Sequence, residues 1–227
     1  MTTRGYVLLS GGIDSSTALG LAIDELGAPQ VSAISIDYGQ RHKREIEHAA
    51  RLAAHYEIPH AVIELPGIVP RTLLTDPSRP LPAVSYAELP VGMSPSYVPF
   101  RNGLMLSALT SHVVGNLAND DEANLYFGAH ADDSANYAYA DCFPEFTGAM
   151  ACAIFIGTYQ KVRLIVPFQH MLKHQIIELG DDLDVPYGMT WSCYNGGEKH
   201  CGVCSTCRAR KEAFEIAGVV DPTEYAA

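Results

Sequence analysis

Positive charge is what this chain lacks most. Its 227 residues hold 15 Lys and Arg against 26 Asp and Glu, a formal net charge of −11. No basic run breaks the pattern. Proteins that grip tRNA or duplex DNA commonly offer a cationic face, because phosphate neutralisation drives binding. The balance therefore argues against nucleic acid as substrate, while a small anionic ligand needs only a local pocket. Long apolar runs are missing as well, so nothing approaches bilayer-spanning length. The opening segment Met1–Gly12 reaches its glycines too soon for a signal peptide. These absences point to the cytoplasm and to no membrane partner. In that reducing compartment six cysteines do not make a disulfide framework. Two nucleotide fingerprints are also absent: the G-x-x-x-x-G-K-[ST] of P-loops and the G-x-G-x-x-G of dinucleotide folds. No obvious catalytic triad stands out.

What is present is alternation. Tyr6–Leu9 reads as a buried strand and Ser16–Leu26 as a helix ended by Gly27. Val31–Ile36 predicts a second strand, Lys43–Tyr56 a helix and Ala61–Leu65 a third strand. Helices over 104–117, 143–155, 172–183 and 207–217, with strands over 124–127 and 163–166, continue the rhythm. Strand–helix–strand order repeated in this way implies an α/β fold with a doubly wound parallel sheet. Pro66–Pro99 interrupts it: eight of the fourteen prolines fall there without sustained periodicity. Such a stretch is either a lid or binding loop over a site, or an inert surface insertion.

Between the first strand and helix lies Leu9-Ser-Gly-Gly-Ile-Asp-Ser-Ser-Thr17. Ligands of α/β sheets collect at the carboxyl ends of strands. Gly11 and Gly12 let backbone N–H groups face an oxyanion, and the helix N-terminus adds partial positive charge. Ser10, Ser15 and Ser16 add hydroxyl donors. A plain turn with a Ser or Asp helix cap is the bland alternative. The pattern Ser-Gly-Gly-x-Asp-Ser resembles the pyrophosphate (PP) loop of the N-type ATP pyrophosphatases. That resemblance implies that Leu9, Ser10, Gly11, Gly12, Ile13, Asp14, Ser15, Ser16 and Thr17 cradle ATP, with Asp14 near its Mg²⁺.

Cys193, Cys201, Cys204 and Cys207 form C-x7-C-x2-C-x2-C within fifteen residues. Four thiolates close a tetrahedral zinc site with no open position, a structural rather than catalytic arrangement. Iron–sulfur ligation has similar spacing, although the C-P that often follows is absent. His200 offers itself as a replacement ligand, and a chance group of buried cysteines is the weakest reading. Cys142 and Cys152 read as core residues.

Taken together, further segments extend the likeness across nearly the whole chain. They are Asp37-Tyr-Gly-Gln-Arg-His42, Val98-Pro-Phe-Arg-Asn102, Asp141-Cys142 with Glu145-Phe146, Pro167…Lys173 and Thr190-Trp-Ser-Cys-Tyr-Asn-Gly196. With the cysteine cluster they resemble the 7-cyano-7-deazaguanine synthase family of the ATP pyrophosphatase superfamily. The resemblance implies an adenine-nucleotide-binding domain of the PP-loop type over residues 1–190, including 66–99 as loop or lid, and a zinc-binding segment over 191–227. It implies a ligase that adenylates the carboxylate of 7-carboxy-7-deazaguanine with ATP, lets ammonia displace AMP, then adenylates the amide and releases the nitrile. A homodimer is expected on the same ground.

Residue roles follow by position. Lys173 and Arg101 are the cations for phosphate or carboxylate, with a solvated lysine and a structural ion pair as their alternatives. Catalysis is assigned to Asp14, Lys173 and Arg101, and substrate binding to Arg101, Asn102 and Asp141. Asp141 reads equally as a guanine-edge acceptor or as a helix cap. Arg41 and His42 read as helix openers or ligand contacts. Where the family carries Tyr-Pro-Asp-Cys-Arg, this chain has Tyr139-Ala-Asp-Cys-Phe143, after what looks like a short insertion in 130–137. Losing the arginine puts the substrate in question and admits a relative that attaches a deazaguanine to a protein or stops at the amide. A tRNA-modifying pyrophosphatase would want a basic face, and a nucleotide sensor would need no acceptor pocket.

Overall fold

A computed structural model describes residues 2–41, 43–76, 78–79, 91–135 and 138–226. His42, most of the middle of the proline-rich stretch, and the end of the 130–137 insertion therefore lie outside the described residues.

Five strands, β1 (Thr3–Leu8), β2 (Val31–Asp37), β3 (His60–Glu64), β4 (Glu122–Tyr126) and β5 (Val162–Ile165), form one sheet in the order β3-β2-β1-β4-β5. Every pairing is parallel, with Tyr6 opposite Ser32 on one side and Leu125 on the other. Strands covered on both faces need apolar residues on both faces. Thus Val7, Leu8, Ala33 and Ile34 are all buried in succession.

The helices are α1 (Ile13–Leu26), α2 (Arg44–His55), α3 (Arg101–Asn116), the single turn α4 (Ala131–Ser134), α5 (Pro144–Gly157), α6 (Lys173–Asp182) and α7 (Ser205–Ala217). α1, α2, α6 and α7 pack one face around Leu9, Ile13, Leu19, Leu52, Ile176 and Phe214. α3 and α5 cover the other around Leu106, Leu109, Leu125 and Ile154. Each such side chain contributes about 1.5–3 kcal/mol by leaving water.

The periodicity located every long element to within a few residues. α1 starts at Ile13 rather than Ser16 because Gly12 is already the extended cap residue. The expected core placement of Cys152 is corrected: it is exposed on α5, whereas Cys142 is buried. α5 is apolar nearly all round, so periodicity alone does not tell its inner face from its outer one.

The described ends of the proline-rich stretch are fastened. Arg41 Nη1 donates to the carbonyls of Leu73 and Arg79, both at 3.2 Å. Ser94, Ser96 and Tyr139 share hydroxyl contacts of 2.6–3.3 Å, and Ser94 N–H reaches the Ala138 carbonyl. Phe100, at φ +55°, turns the chain into α3.

The last helix is locked by Arg210, which is fully buried. Its guanidinium bonds Asp221 at 3.1 Å, Thr190 Oγ1 at 2.7 Å and the Tyr187 carbonyl at 3.1 Å, over the Phe214 ring. A buried cation is tolerated only when its donors are met in this way.

Candidate active site

The strand order reverses at β1 and β4, and the crevice at such a reversal is where α/β sheets take ligands. Leu9 N–H still bonds the Ile34 carbonyl at 2.9 Å, so sheet pairing carries the chain to the mouth of the turn. Gly11 then adopts φ +81°. A Cβ there would run into the Glu45 carbonyl oxygen and lie 2.9 Å from Ala49 N, so α2 packs directly against glycine backbone. The Gly11 carbonyl accepts from Trp191 N–H at 2.8 Å. Gly12 caps α1 without a side chain, which leaves the first-turn N–H groups and the helix dipole for a ligand. Gly128, after β4, approaches from the far side; a Cβ on it would sit 3.1 Å from the Asp14 carbonyl carbon.

The hydroxyls of this turn divide into two groups. Ser10 and Ser15 face the crevice, linked at 3.0 Å. Ser16 Oγ donates to the Gly12 carbonyl at 2.7 Å, and Thr17 Oγ1 bonds the Ile13 carbonyl and Tyr187 OH at 3.1 and 2.8 Å. Both are fully buried and brace the turn from behind.

The crevice opens into a cavity of about 240 Å³. Leu9, Ser10, Gly12, Ile13, Asp14, Ser15, Arg101, Asn102 and Lys173 line it; Gly11, Ser16, Thr17 and Asp141 are not among the lining residues. At one end Lys173 Nζ contacts both Asp14 oxygens, at 3.1 and 2.9 Å. Burial works against the Asp14 charge, but Lys173 and His130 together hold its carboxyl below the ordinary range. Burial likewise opposes the Lys173 ammonium, and Asp14 with Asp133 outweighs it, so the amine stays protonated. His130 is buried, 3.4 Å from Asp133 Oδ2 and 3.7 Å from Asp14 Oδ2. Asp132 Oδ2 accepts from Lys173 N–H at 2.7 Å and so caps the start of α6. His130, Asp132 and Asp133 were not singled out in the sequence. Their role follows only from β4 ending beside β1.

At the other end Arg101 Nη1 is 3.4 Å from Tyr38 OH, and Arg101 Nε is buried without a partner. Glu45, Tyr38 and Tyr194 share this end. Burial raises Glu45 to about 7, with Arg101 opposing the shift. Asp141 Oδ2 accepts from Asn102 N–H at 2.9 Å, in the first turn of α3, and Asn102 Nδ2 returns to the Asp141 carbonyl at 3.2 Å. The carboxylate thus caps α3 rather than the helix that follows it in sequence. Phe143 is not among the lining residues.

Behind the cavity, the Sγ atoms of Cys193, Cys201, Cys204 and Cys207 all lie within 4.8 Å of one another. A tetrahedron of Zn–S bonds of about 2.3 Å has edges of about 3.8 Å, and Cys201 and Cys207 are 3.9 Å apart. A four-iron cube standing between the thiolates would hold them farther apart. The donor set therefore fits one structural zinc. N–H groups of Asn195, Cys201 and Cys204 point at sulfur at 3.3–3.4 Å. His200 is not in the group: its Nε2 accepts from Ser192 N–H at 3.0 Å, and its ring lies 4.3 Å from that of Trp191.

Residues 4–218 match the family described as queuosine biosynthesis protein QueC. The chain is 38% identical over 233 residues to a 7-cyano-7-deazaguanine synthase of Marinomonas sp., with both chains covered in full. It is 41% identical to the enzyme of that name from Thermoplasma acidophilum, over 98% of this chain and 92% of that one. The Methanoregula boonei enzyme of the same name is 39% identical, over 98% and 99%.

Proposed function

The chain belongs to the QueC family, and from that premise we propose how its crevice carries out the family's reaction. Membership makes it a ligase that forms C–N bonds with ATP, in the amidation and cyanation of deazaguanine intermediates of queuosine biosynthesis. The substrates proposed are ATP, 7-carboxy-7-deazaguanine and ammonia. Two ATP are used, the first to adenylate the carboxylate and the second to adenylate the resulting amide.

The observation that carries the site assignment is the start of α1, uncapped by any side chain at the switch point, with Lys173 closed over Asp14. Main-chain donors at the uncapped start of α1 would take the triphosphate, joined by the Gly12 N–H once it leaves Ser10 Oγ, and Lys173 would neutralise the pyrophosphate that departs. Asp14, held ionised, is a hard oxygen donor suited to the Mg²⁺ that accompanies ATP. That ion would balance phosphate charge. Arg101, whose Nε lacks a partner, would take the acceptor carboxylate. Asn102 and Asp141, locked to each other, would keep the acceptor end of α3 in place. Alignment replaces covalent catalysis here.

Mass spectrometry of products from ATP, Mg²⁺, ammonia and 7-carboxy-7-deazaguanine tests the reading. The nitrile is expected. An amide alone, or a mass increment on a protein, would replace it with the divergent chemistry, and absence of AMP would end it.

We also propose a division at 190/191, with 66–99 as a loop or lid, and a cytoplasmic location. Among the described residues no helix is long and apolar enough to cross a membrane. A homodimer is supported by the outer faces of α3 and α5: no Asp, Glu, Lys or Arg occurs in 102–119 or 146–160. Ile156 and Val114 are exposed there. Sedimentation should return twice the 24.6 kDa chain mass, and a monomer at micromolar concentration would refute it.

A further inference from the structure

Both C–N steps of this reaction shed protons from nitrogen. Ammonia attacking the acyl-adenylate carries a proton that must leave before the amide is neutral. The adenylated amide loses two more, one to give the imidate and one as its C–O bond breaks to give nitrile and AMP. None of the cavity-lining residues given a catalytic role above is free to accept them. Asp14 is paired to Lys173 and held ionised. Lys173 is held protonated, and burial keeps Tyr38 and Cys142 in their protonated forms. Asp133 faces His130 at 3.4 Å and lies in the field of Lys173.

Glu45 is different. It stands in the first turn of α2, where Gly11 packs on its backbone, and its side chain reaches the cavity. Its carboxyl makes no hydrogen bond or ion pair among the described residues. Around it stand Arg101 from α3, Tyr38 after β2, Tyr194 from the C-terminal segment and Arg41 at the same wall. On α2 itself Arg44 lies over the Trp191 ring, 5.3 Å from its centre.

We propose that Glu45 is the general base that takes the proton from the attacking ammonia, and later from the amide nitrogen, opposite the Arg101 guanidinium. This rests on the ligase reading. The carboxylate accepts H⁺ as N–C forms and C–O(AMP) breaks, and then releases it to solvent; no other co-reactant is needed. A carboxyl raised to about 7 is matched to this task. The sign follows: the base works when deprotonated, so the rate per free ammonia should climb as pH rises through about 7.

Glu45→Gln keeps size and removes the base. Acid-dependent exchange of pyrophosphate into ATP, which reports adenylation alone, is expected within about threefold of the parent. Amide formation should fall on the order of 10²-fold, and the limb near pH 7, plotted against free ammonia, should vanish. Hydroxylamine, a nucleophile far less dependent on base help, should recover most of the loss. Exchange and amide formation falling together, an unchanged limb, or no recovery with hydroxylamine would each overturn the role of Glu45. If the parent enzyme itself shows no acid-dependent exchange, the ligase reading fails first.

Discussion

Replacing Gly11 with alanine is expected to abolish turnover, lowering kcat/KM by at least about 10³-fold, with a loss of stability as well. Three independent demands meet at this residue. Its φ of +81° lies in the left-handed region, which costs an L-residue roughly 1–2 kcal/mol. Its missing Cβ is the space taken by the Glu45 carbonyl and Ala49 N. Backbone atoms of a helix cannot swing aside as a side-chain tip can. Its own carbonyl is bonded to Trp191 N–H, so the peptide cannot rotate to make room without breaking that bond. The helix and turn must separate, and the first-turn N–H groups then lose their aim at the triphosphate. A shift of about 1 Å in a positioned group is enough for a 10²-fold loss. Steady-state kinetics and a thermal melt check this together. A Gly11→Ala protein with parental kcat/KM would mean that this turn does not hold the nucleotide. Gly12, at φ −81° and with 3.4 Å to its nearest neighbour, should tolerate the same change far better for folding.

Stripping the metal with a chelator, or changing Cys193 and Cys204 to serine, is expected to cost as much by another route. Four thiolates within 4.8 Å repel one another once ionised and are poor company for one another when not. Zinc binding to such a set supplies on the order of 10 kcal/mol to folding. The loss should travel. Cys193 follows two residues after Trp191, whose indole Nε1–H donates to the Cys193 carbonyl at 2.8 Å and whose backbone N–H holds Gly11. Loosening the cysteine knuckle therefore loosens the nucleotide turn. The expected readings are one zinc per chain before treatment, a melting midpoint lower by 10 °C or more (roughly, from the size scaling of unfolding entropy), and ATP–pyrophosphate exchange falling in step with metal content. Full exchange activity in a zinc-free chain would separate the two regions and refute the coupling.

Residues that announced themselves in the sequence did so through local spacing. Ser10-Gly-Gly-x-Asp-Ser and the four cysteines are each confined to one turn or one knuckle, and alternating apolar runs marked the strands, so fold and both motifs were legible. What stayed hidden was non-local or disguised. His130, Asp132 and Asp133 gain meaning only because β4 pairs with β1 and delivers them beside Asp14. Glu45 and Arg210 sit in helices thick with charge, Arg-Glu-Ile-Glu and Arg-Ala-Arg-Lys-Glu, where charge normally marks a wet face. Both instead point inward. Asp141 had two equal readings because a carboxylate that caps a helix and one that reads a base leave the same letter. The contact with Asn102, from a helix some forty residues earlier, identifies the helix that Oδ2 caps; the substrate role is a separate proposal.

The hydrogen bond from Trp191 to Gly11 joins segments 180 residues apart. The strand that carries the glycine turn can pair with β2 as soon as that neighbour is made, because the two are close in sequence. The turn's second support comes from the cysteine segment, which is translated much later and must dock from a distance. Completing the turn is thereby tied to folding of the C-terminal part of the sheet's helical layer.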